Sequence, residues 1–385
     1  MLRRTLSGLL SAAIALAVAL LALEAGLRLA GIGDDSIFHP DPWVGWVHIP
    51  GLHASLVSED PALGKRIAIT IDSLGLRDVE RRAEKPAGVY RILLLGDSFV
   101  EAAQVPLDST FARRLEHALG EHAGRRVEVW NTGVAGYSTA QELLYLQHVA
   151  ARFRPDLVVQ CFFAGNDVND EVPELATSLR NRPFFRVEGD RLVLDRSALR
   201  PDRAPIAWLR RNSRLFNWAS TQRRVALENL RARSAGAGST HGLPPGFQLF
   251  AENPDSVWQR AWDLCDRLIV ATRDEARRQG ADFVLVSIST GTQETAQARG
   301  RQQEWEKWSQ YPGLSLDRPD ERLGRLCAAN QIDFVPLLPL FRGEQERSGQ
   351  PLHIGWTGHW NAAGHRLGTR VLVDHLAGYV ARAPR

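Results

Sequence analysis

The sequence predicts an α/β protein, a three-layer α/β/α sandwich with a mostly parallel five-stranded sheet, preceded by an N-terminal transmembrane helix. Two observations support this prediction. From residue 90 onward, short apolar runs alternate with amphipathic helical segments, which is typical of a parallel sheet covered by helices on both faces. Near the N-terminus lies one long uncharged apolar stretch, as a membrane-spanning helix requires.

The five predicted strands are apolar runs of five to ten residues: "RILLL" (91–95), "VEVWN" (127–131), "DLVVQCFFA" (156–164), "DFVLVSIS" (282–289) and "IDFVPLLPLF" (332–341). Helix signals lie between them. We expect Asp108 to cap the helix after the first strand and Thr139-x-x-Glu142 to form a capping box. Further helices are expected near 255–279 and 361–382.

The apolar stretch Thr5–Leu23 holds 19 uncharged residues, which as a helix span about 28 Å. Residues 5–30 are therefore predicted to form an uncleaved transmembrane anchor. A cleaved signal peptide is the competing interpretation, but a cut after Ala17-Val18-Ala19 would fall inside the apolar run. Arg3 and Arg4 place the N-terminus in the cytoplasm, so we expect a single-pass protein of the inner (cytoplasmic) membrane with its main domain on the periplasmic or extracellular side.

Residues 34–88 are predicted to form a small membrane-proximal β-rich segment, and 89–385 the main domain, with an insertion at about 171–250. The insertion contains a predicted hairpin (184–194) and an Arg-rich helical stretch (206–233). This stretch either docks on an anionic bilayer or glycan or is a solvated helix whose apolar face packs on the protein body. We favour the second interpretation.

The composition and the absence of several known motifs argue against some classes of function. The net charge of +3 is too small to indicate a nucleic-acid partner, and three cysteines cannot form a disulfide framework. The phosphate-loop, G-x-G-x-x-G, H-E-x-x-H and paired C-x-x-C motifs are absent, so we expect no cofactor. His353 and His365 flank His359, but we expect no metal site there.

Four polar blocks follow the predicted strands in a fixed order. Gly96-Asp97-Ser98 follows the first strand, "NTGVAGYST" (131–139) the second and "GND" (165–167) the third. "GHWNAAGH" (358–365) lies between the last strand and the last helix. Since parallel strands end at the same edge of a sheet, we expect these blocks to converge there.

On these blocks the sequence resembles the SGNH/GDSL hydrolase family, whose Ser, Gly, Asn and His blocks match Ser98, Gly136, Asn166 and His359. The match covers roughly 90–170 and 350–370, with a looser likeness to membrane-anchored bacterial members over the N-terminal part. The resemblance implies a flavodoxin-like sandwich and a serine esterase or acyl-transfer enzyme. It also implies that the serine attacks an ester carbonyl while the Gly and Asn complete an oxyanion hole.

The chemistry requires these residue types. A serine hydroxyl is a weak nucleophile without a base, and His359 is the candidate base for Ser98. The backbone N–H groups of Ser98 and Gly136 and the Asn166 amide are candidate donors to the developing oxyanion. Each residue also has a structural interpretation, as a helix cap, a turn former or a positive-φ position. The candidate supporting residues are Asp97, Asp167 and Asn361.

One departure concerns the third member of the triad. The family usually carries an acid two or three residues before the histidine, where this sequence has Thr357 and Trp356. Three explanations remain open: a Ser–His dyad oriented by a backbone carbonyl, a carboxylate from elsewhere in the chain, or loss of efficient hydrolysis with binding retained.

The expected function is hydrolysis of an O-acyl ester, acetyl esters included, through an acyl-enzyme. The expected partners are an acylated small molecule, glycan or lipid of the cell envelope as substrate, and the membrane through the N-terminal helix. Two alternatives are an acyltransferase that uses the same Ser–His site and a non-catalytic envelope binding protein.

Overall fold

The computed structural model divides the chain into two compact units. One comprises Met1–His39 and Asp202–Thr240, and the other comprises Pro40–Pro201 and His241–Arg385. The residues that the structure describes are 2–30, 32, 37–64, 66–176, 181–199, 204–235, 245–294, 313–355 and 358–382.

Helices and strands alternate over most of the described chain. In chain order the helices are α1 (Leu2–Ala30), α2 (Ser98–Glu101), α3 (Phe111–Ala123), α4 (Thr139–His148), α5 (Ala164–Asp167), α6 (Ala204–Asn212), α7 (Arg214–Ala235), α8 (Ser256–Arg278), α9 (Gly291–Glu294), α10 (Arg318–Asn330), α11 (Leu338–Ser348) and α12 (Ala362–Arg382). The strands are β1 (Phe38–Asp41), β2 (Gly45–His48), β3 (His53–Val57), β4 (Arg66–Thr70), β5 (Tyr90–Gly96), β6 (Val127–Asn131), β7 (Leu157–Phe163), β8 (Phe184–Glu188), β9 (Arg191–Asp195), β10 (Asp282–Ile288) and β11 (Asp333–Pro336).

A five-stranded sheet in the order β11-β10-β7-β5-β6 forms the centre of the larger unit. Its neighbouring strands pair in parallel, so the predicted parallel sheet is confirmed. When these five strands are numbered 1 to 5 along the chain, the order is 5-4-3-1-2. Read from the other edge of the sheet, this is the order 2-1-3-4-5 of flavodoxin-like sheets. The strand order reverses between β5 and β7, and ligands of such sheets bind at this switch point, beyond the carboxyl ends of the strands.

Helices cover both faces of the sheet. On one face, Ile92 and Leu94 of β5 share a core with Leu115 of α3 and Leu372 of α12. On the other, the ring of Phe162 in β7 stacks on that of Trp262 in α8, with centroids 6.2 Å apart. Every residue of β5 is buried, which explains why this strand reads as a continuous apolar run. The three-layer sandwich is confirmed.

Two local predictions are wrong: the cap of the helix after the first strand and the length of the last strand. Asp108 lies in a short 3₁₀ turn, and Thr110 caps α3 instead, its hydroxyl accepting from the N–H of Arg113 at 3.3 Å. The apolar run 332–341 is only partly a strand, because β11 ends at Pro336 and α11 begins two residues later. Proline is favoured in the first turn of a helix, and Pro339 occupies that position in α11.

The predicted capping box at Thr139 is also not formed. Ser138 is the N-cap of α4 and makes no side-chain cap bond. The carboxylate of Glu171 accepts the N–H of Ala140 at 3.0 Å, and Glu142 accepts instead from the Gln160 amide of β7 at 2.6 Å. A carboxylate that is distant in the sequence therefore satisfies the first turn of α4.

The segment expected between membrane and main domain packs, from residue 40 onward, in the same compact unit as the sheet. Within it, β3 and β4 pair antiparallel. The predicted hairpin at 184–194 is present as the antiparallel pair β8–β9. The Arg-rich stretch 206–233 is helical, as α6 and α7.

The smaller unit contains α1, α6 and α7. Residues Gly8–Ala30 of α1 have a mean hydropathy of 2.2 over their most apolar window and are long enough to cross a membrane. A secretory signal sequence has the same properties. The helix is thus a candidate transmembrane span.

Gly96 is the last residue of β5, two residues before Ser98, and it has no room for a side chain. A Cβ there would lie 2.3 Å from Val100 Cγ2 and 3.2 Å from the carbonyl oxygen of Cys161. We expect Gly96→Ala to destabilise the protein by about 1–3 kcal/mol through overpacking. The control Gly120→Ala, within α3, would place its Cβ 4.0 Å from the backbone oxygen of Arg125 and should stabilise the protein by about 0.5–1 kcal/mol. Urea denaturation in detergent measures both; equal stability of Gly96→Ala and wild type would contradict this packing.

Glu142 makes stability depend on pH. Burial raises its pKa to about 8, although the hydrogen bond from Gln160 opposes the shift. Between its ordinary value of 4.5 and about 8, the folded protein holds a proton that the unfolded chain has lost, so the free energy of unfolding falls as pH rises. We expect this fall to be shallower in Glu142→Gln, while Glu188→Gln, at an exposed position, follows wild type. Denaturation midpoints at several pH values provide the test, and parallel pH profiles would refute the assignment.

Candidate active site

Ser98 lies at the carboxyl end of β5, as its block predicts. Asp97 is the N-cap residue of α2, and its carboxylate accepts the N–H of Phe99 at 2.8 Å. Ser98 is therefore the first residue of the helix. It lies at the edge between β5 and β7 where the strand order reverses.

His359 lies opposite Ser98, in the loop that precedes α12. Its Nε2 is 2.9 Å from the Ser98 Oγ. Gly358, at φ +77°, adopts the left-handed conformation that glycine tolerates, and the backbone oxygen of His359 accepts from the N–H of Ile354 at 2.7 Å. The structure thus brings together the serine and the histidine, 261 residues apart.

The other ring nitrogen of His359 contacts a carboxylate from the N-terminal segment. His359 Nδ1 lies 2.9 Å from Glu59 Oε2, and the two side chains are 21% and 29% exposed. When Nδ1–H donates to this carboxylate, the lone pair of Nε2 faces the Ser98 hydroxyl. The structure therefore favours the carboxylate from elsewhere in the chain; Trp356 and Thr357 lie outside the described residues.

Sequence reasoning did not identify Glu59. It lies two residues after the end of β3 at Val57 and has no motif around it, and its contact with His359 spans 300 residues. Its only sequence signal is negative: Thr357 and Trp356 lack a carboxylate, and a carboxylate from elsewhere in the chain is one of the three explanations left open.

Gly136 and Asn166 lie on neighbouring loops of the same edge. Gly136, after β6, has φ +77°. Asn166, in α5 after β7, donates its Nδ2 to the backbone oxygen of Tyr137 at 2.7 Å. An amide nitrogen carries two hydrogens, and the Asn166 amide also donates to the Asp97 carboxylate, which works against the burial that raises the pKa of Asp97.

The loop that carries Gly136 is held by side chains from two other segments. From the N-terminal segment, Trp46 Nε1 donates to the oxygen of Ala135 at 3.1 Å, and the hydroxyl of Tyr137 donates back to the Trp46 oxygen. From the insertion, Arg182 donates to the Gly136 oxygen at 2.9 Å. The peptide planes around Gly136 are therefore fixed from several sides.

The helix α2, which carries Ser98, is anchored by the N-terminal segment as well. Buried His48 lies with its Nε2 2.6 Å from Glu101 Oε1. The buried guanidinium of Arg77 donates to the backbone oxygens of Glu101 and Val105 at 2.8 and 2.6 Å. Residues 40–88 thus hold both the serine helix and the glycine loop.

The three expected supporting residues support local structure. Burial raises the pKa of Asp97 to about 6, although the Phe99 N–H and nearby His359 lower it. Asp167 accepts the N–H of Phe163 at 2.6 Å, and burial raises its pKa well above the usual value. Asn361 caps α12 by accepting from the N–H groups of residues 363 and 364 at 2.8 and 3.1 Å.

The two flanking histidines have other surroundings. His365 is fully buried, and its Nδ1 accepts the N–H of Phe111 at 3.4 Å. Burial and the neighbouring Arg77 lower the pKa of His365 to about 3, so it is neutral at physiological pH. His353 Nδ1 lies 3.2 Å from Glu294. Within the described residues, no group of three or more His, Cys, Asp or Glu side chains is arranged to hold a metal ion.

Comparison with solved structures finds several proteins with weak overall similarity. LAE5, an α/β hydrolase from the metagenome of Lake Arreo, is 11% identical, with 78% of this chain and 99% of that chain covered and a TM-score of 0.41. TesA is 12% identical, with coverages of 74% and 98% and a TM-score of 0.39. Axe2, an acetylxylan esterase from Geobacillus stearothermophilus, is 11% identical, with coverages of 77% and 97% and a TM-score of 0.41.

Comparison with curated proteins returns no match. The model of the GDSL-like lipase/acylhydrolase family matches residues 94–314. The matched range contains Ser98, Gly136 and Asn166 and ends before His359. Because the match covers more than half of the chain, the protein belongs to the GDSL-like lipase/acylhydrolase family and is an ester hydrolase of the SGNH type.

Proposed function

We propose that the protein hydrolyses an O-acyl ester through an acyl-enzyme on Ser98. The observation that carries this proposal is the continuous hydrogen-bonded chain from Ser98 through His359 to Glu59, with both contacts at 2.9 Å. This is the arrangement of nucleophile, base and orienting acid that activates a serine.

The reaction follows from these three residues. Ser98 Oγ attacks the ester carbonyl carbon while its proton moves to His359 Nε2. The tetrahedral intermediate expels the alcohol, which takes that proton, and leaves an acyl group on Ser98. Water then attacks the acyl-enzyme with His359 as base, and the proton returns to Ser98 as the carboxylic acid leaves. Glu59 stays ionised and stabilises the imidazolium.

The oxyanion of each tetrahedral intermediate would be held by the N–H groups of Ser98 and Gly136 and by the Asn166 amide. The bond from Asn166 to the oxygen of Tyr137 at 2.7 Å supports this role, since it keeps the amide beside the Gly136 loop. Rigid donors require no reorganisation during the reaction, which is why such sites accelerate acyl transfer.

The proposed location is the inner membrane, with the active site on its periplasmic or extracellular face. The candidate span in α1 and the pair Arg3-Arg4 before it support this orientation. The proposed substrate class is accordingly an acylated glycan, lipid or small molecule of the envelope. The binding-protein alternative rested on a missing acid, and the contact of Glu59 with His359 at 2.9 Å supports the hydrolase over that alternative.

A fluorophosphonate probe tests the nucleophile directly. We expect one covalent adduct on Ser98, located by mass spectrometry, because only an activated serine reacts with such a probe. The adduct should be lost in Ser98→Ala and His359→Ala. The control His375→Ala, which removes another histidine paired with a carboxylate (Asp333, 2.7 Å away), should be labelled like wild type. A folded wild-type protein without an adduct would argue against the proposed mechanism.

Replacing Glu59 tests the third member of the triad. In a serine protease, loss of the orienting carboxylate costs about 10⁴ in kcat, so we expect Glu59→Gln to lower kcat by a factor of that order with little effect on KM. Glu59→Asp should restore part of the rate. The matched control is Asp60→Asn, at the neighbouring carboxylate that caps a 3₁₀ turn, and should hydrolyse an aryl acetate at the wild-type rate. Full activity of Glu59→Gln would assign the orientation of His359 to another group.

A further inference from the structure

We propose that α6 and α7 form an interfacial helix pair that docks on the anionic lipid surface of the membrane crossed by α1. The proposal rests on the transmembrane role of α1 proposed above and is independent of the ester chemistry. It concerns only the smaller compact unit, which contains all three helices.

The first support is the joint between α1 and α7. Glu24 of α1 accepts from the Ser213 hydroxyl at 2.9 Å and from the N–H groups of Arg214 and Leu215 at 3.0 and 2.9 Å. Arg28, one turn further along α1, donates to the oxygen of Asn212 at 2.7 Å. The bonds from the Arg214 and Leu215 N–H groups satisfy donors that α7 leaves open at its start, and Arg28 satisfies a carbonyl oxygen at the end of α6. The helix α7 therefore begins against the last turns of α1.

The second support is the depth of this joint. The uncharged run of α1 ends at Leu23, and Glu24 is the first charged residue after Arg4. The run is about as long as the hydrocarbon core is thick, and charged side chains are costly within that core. Glu24 therefore lies where hydrocarbon gives way to headgroups, and it holds the junction of α6 and α7 at the same level.

The third support is the chemistry of the helix pair. Residues 204–235 contain seven arginines and one acid, and basic side chains near an anionic leaflet are attracted to it. Trp208, Trp218 and Leu227 are 63%, 39% and 44% exposed. Tryptophan is enriched at membrane interfaces, and basic residues combined with exposed Trp and Leu are typical of helices that lie in the headgroup region.

Lipid explains these observations better than an anionic glycan does. A glycan would account for the arginines, but not for the exposed apolar side chains or for the junction at the end of the membrane span. A helix surrounded only by water would leave the Trp208 indole, which is 63% exposed, in water, whereas a bilayer surface would cover it. The bilayer surface accounts for charge, exposure and position together.

The test places an environment-sensitive NBD fluorophore on the full-length protein in vesicles. The fluorophore is attached to Trp208→Cys or, as a matched control in the larger unit, to Leu340→Cys, where the native side chain is 48% exposed. The three native cysteines are buried and should not react in the folded protein. Vesicles contain phosphatidylcholine with or without phosphatidylglycerol, and some carry a spin-labelled lipid that quenches at headgroup depth.

We expect the fluorophore at 208 to show blue-shifted emission and strong lipid quenching, greater with phosphatidylglycerol, and the fluorophore at 340 to show neither. Arg223→Glu should weaken the response at 208, whereas Arg347→Glu, an exposed position in the larger unit, should not. Water-like emission at 208 in a protein that resists carbonate extraction would overturn the docking and leave the span intact. Release of the protein by carbonate would overturn both. Ester hydrolysis measured on the same samples reports separately on the proposed function.

Discussion

The hydrogen bond between His359 and Glu59 is the interaction on which the proposed chemistry depends. A histidine can accept the proton of a serine only when its other nitrogen is held as a donor, and the contact of 2.9 Å provides that constraint. It also joins three parts of the chain, since Ser98 follows the first strand of the sheet and His359 precedes the last helix, while Glu59 belongs to a segment that precedes the sheet. The active site is therefore complete only when the N-terminal segment has folded onto the sheet.

The same segment also limits movement elsewhere in the site. Trp46 holds the loop of Gly136, His48 and Arg77 hold the helix of Ser98, and Glu59 contacts His359 at 2.9 Å. Buried polar groups are costly without partners, so each of these contacts stabilises one arrangement against looser ones. Preorganised donors are the main source of electrostatic catalysis in acyl transfer, and in the proposed mechanism much of that preorganisation would come from residues 40–88.

The site has an energetic cost. Four acids near this edge of the sheet are fully buried, and burial raises the pKa of each. They are Asp97, Glu142, Asp167 and Glu171. Their hydrogen bonds to N–H groups and to the Gln160 amide order the turns of this edge. Burial favours the neutral form of each acid, and it raises the pKa of Glu142 and of Glu171 to about 8 but that of Asp97 only to about 6. Local order at the active edge is thus coupled to protonation.

The sandwich could be predicted from the amino-acid sequence alone. Buried strands such as 91–95 and 156–164 are continuous apolar runs, and amphipathic helical segments lie between them. The sequence also placed Ser98 and His359 at one sheet edge, since their blocks follow the strand order. The contact of Glu59 with His359 and the caps of α3 and α4 are visible only in the folded chain. Glu59 lies 300 residues from His359, and Glu171 reaches α4 from a different element. Such contacts depend on distance in space, and neither periodicity nor local spacing records it.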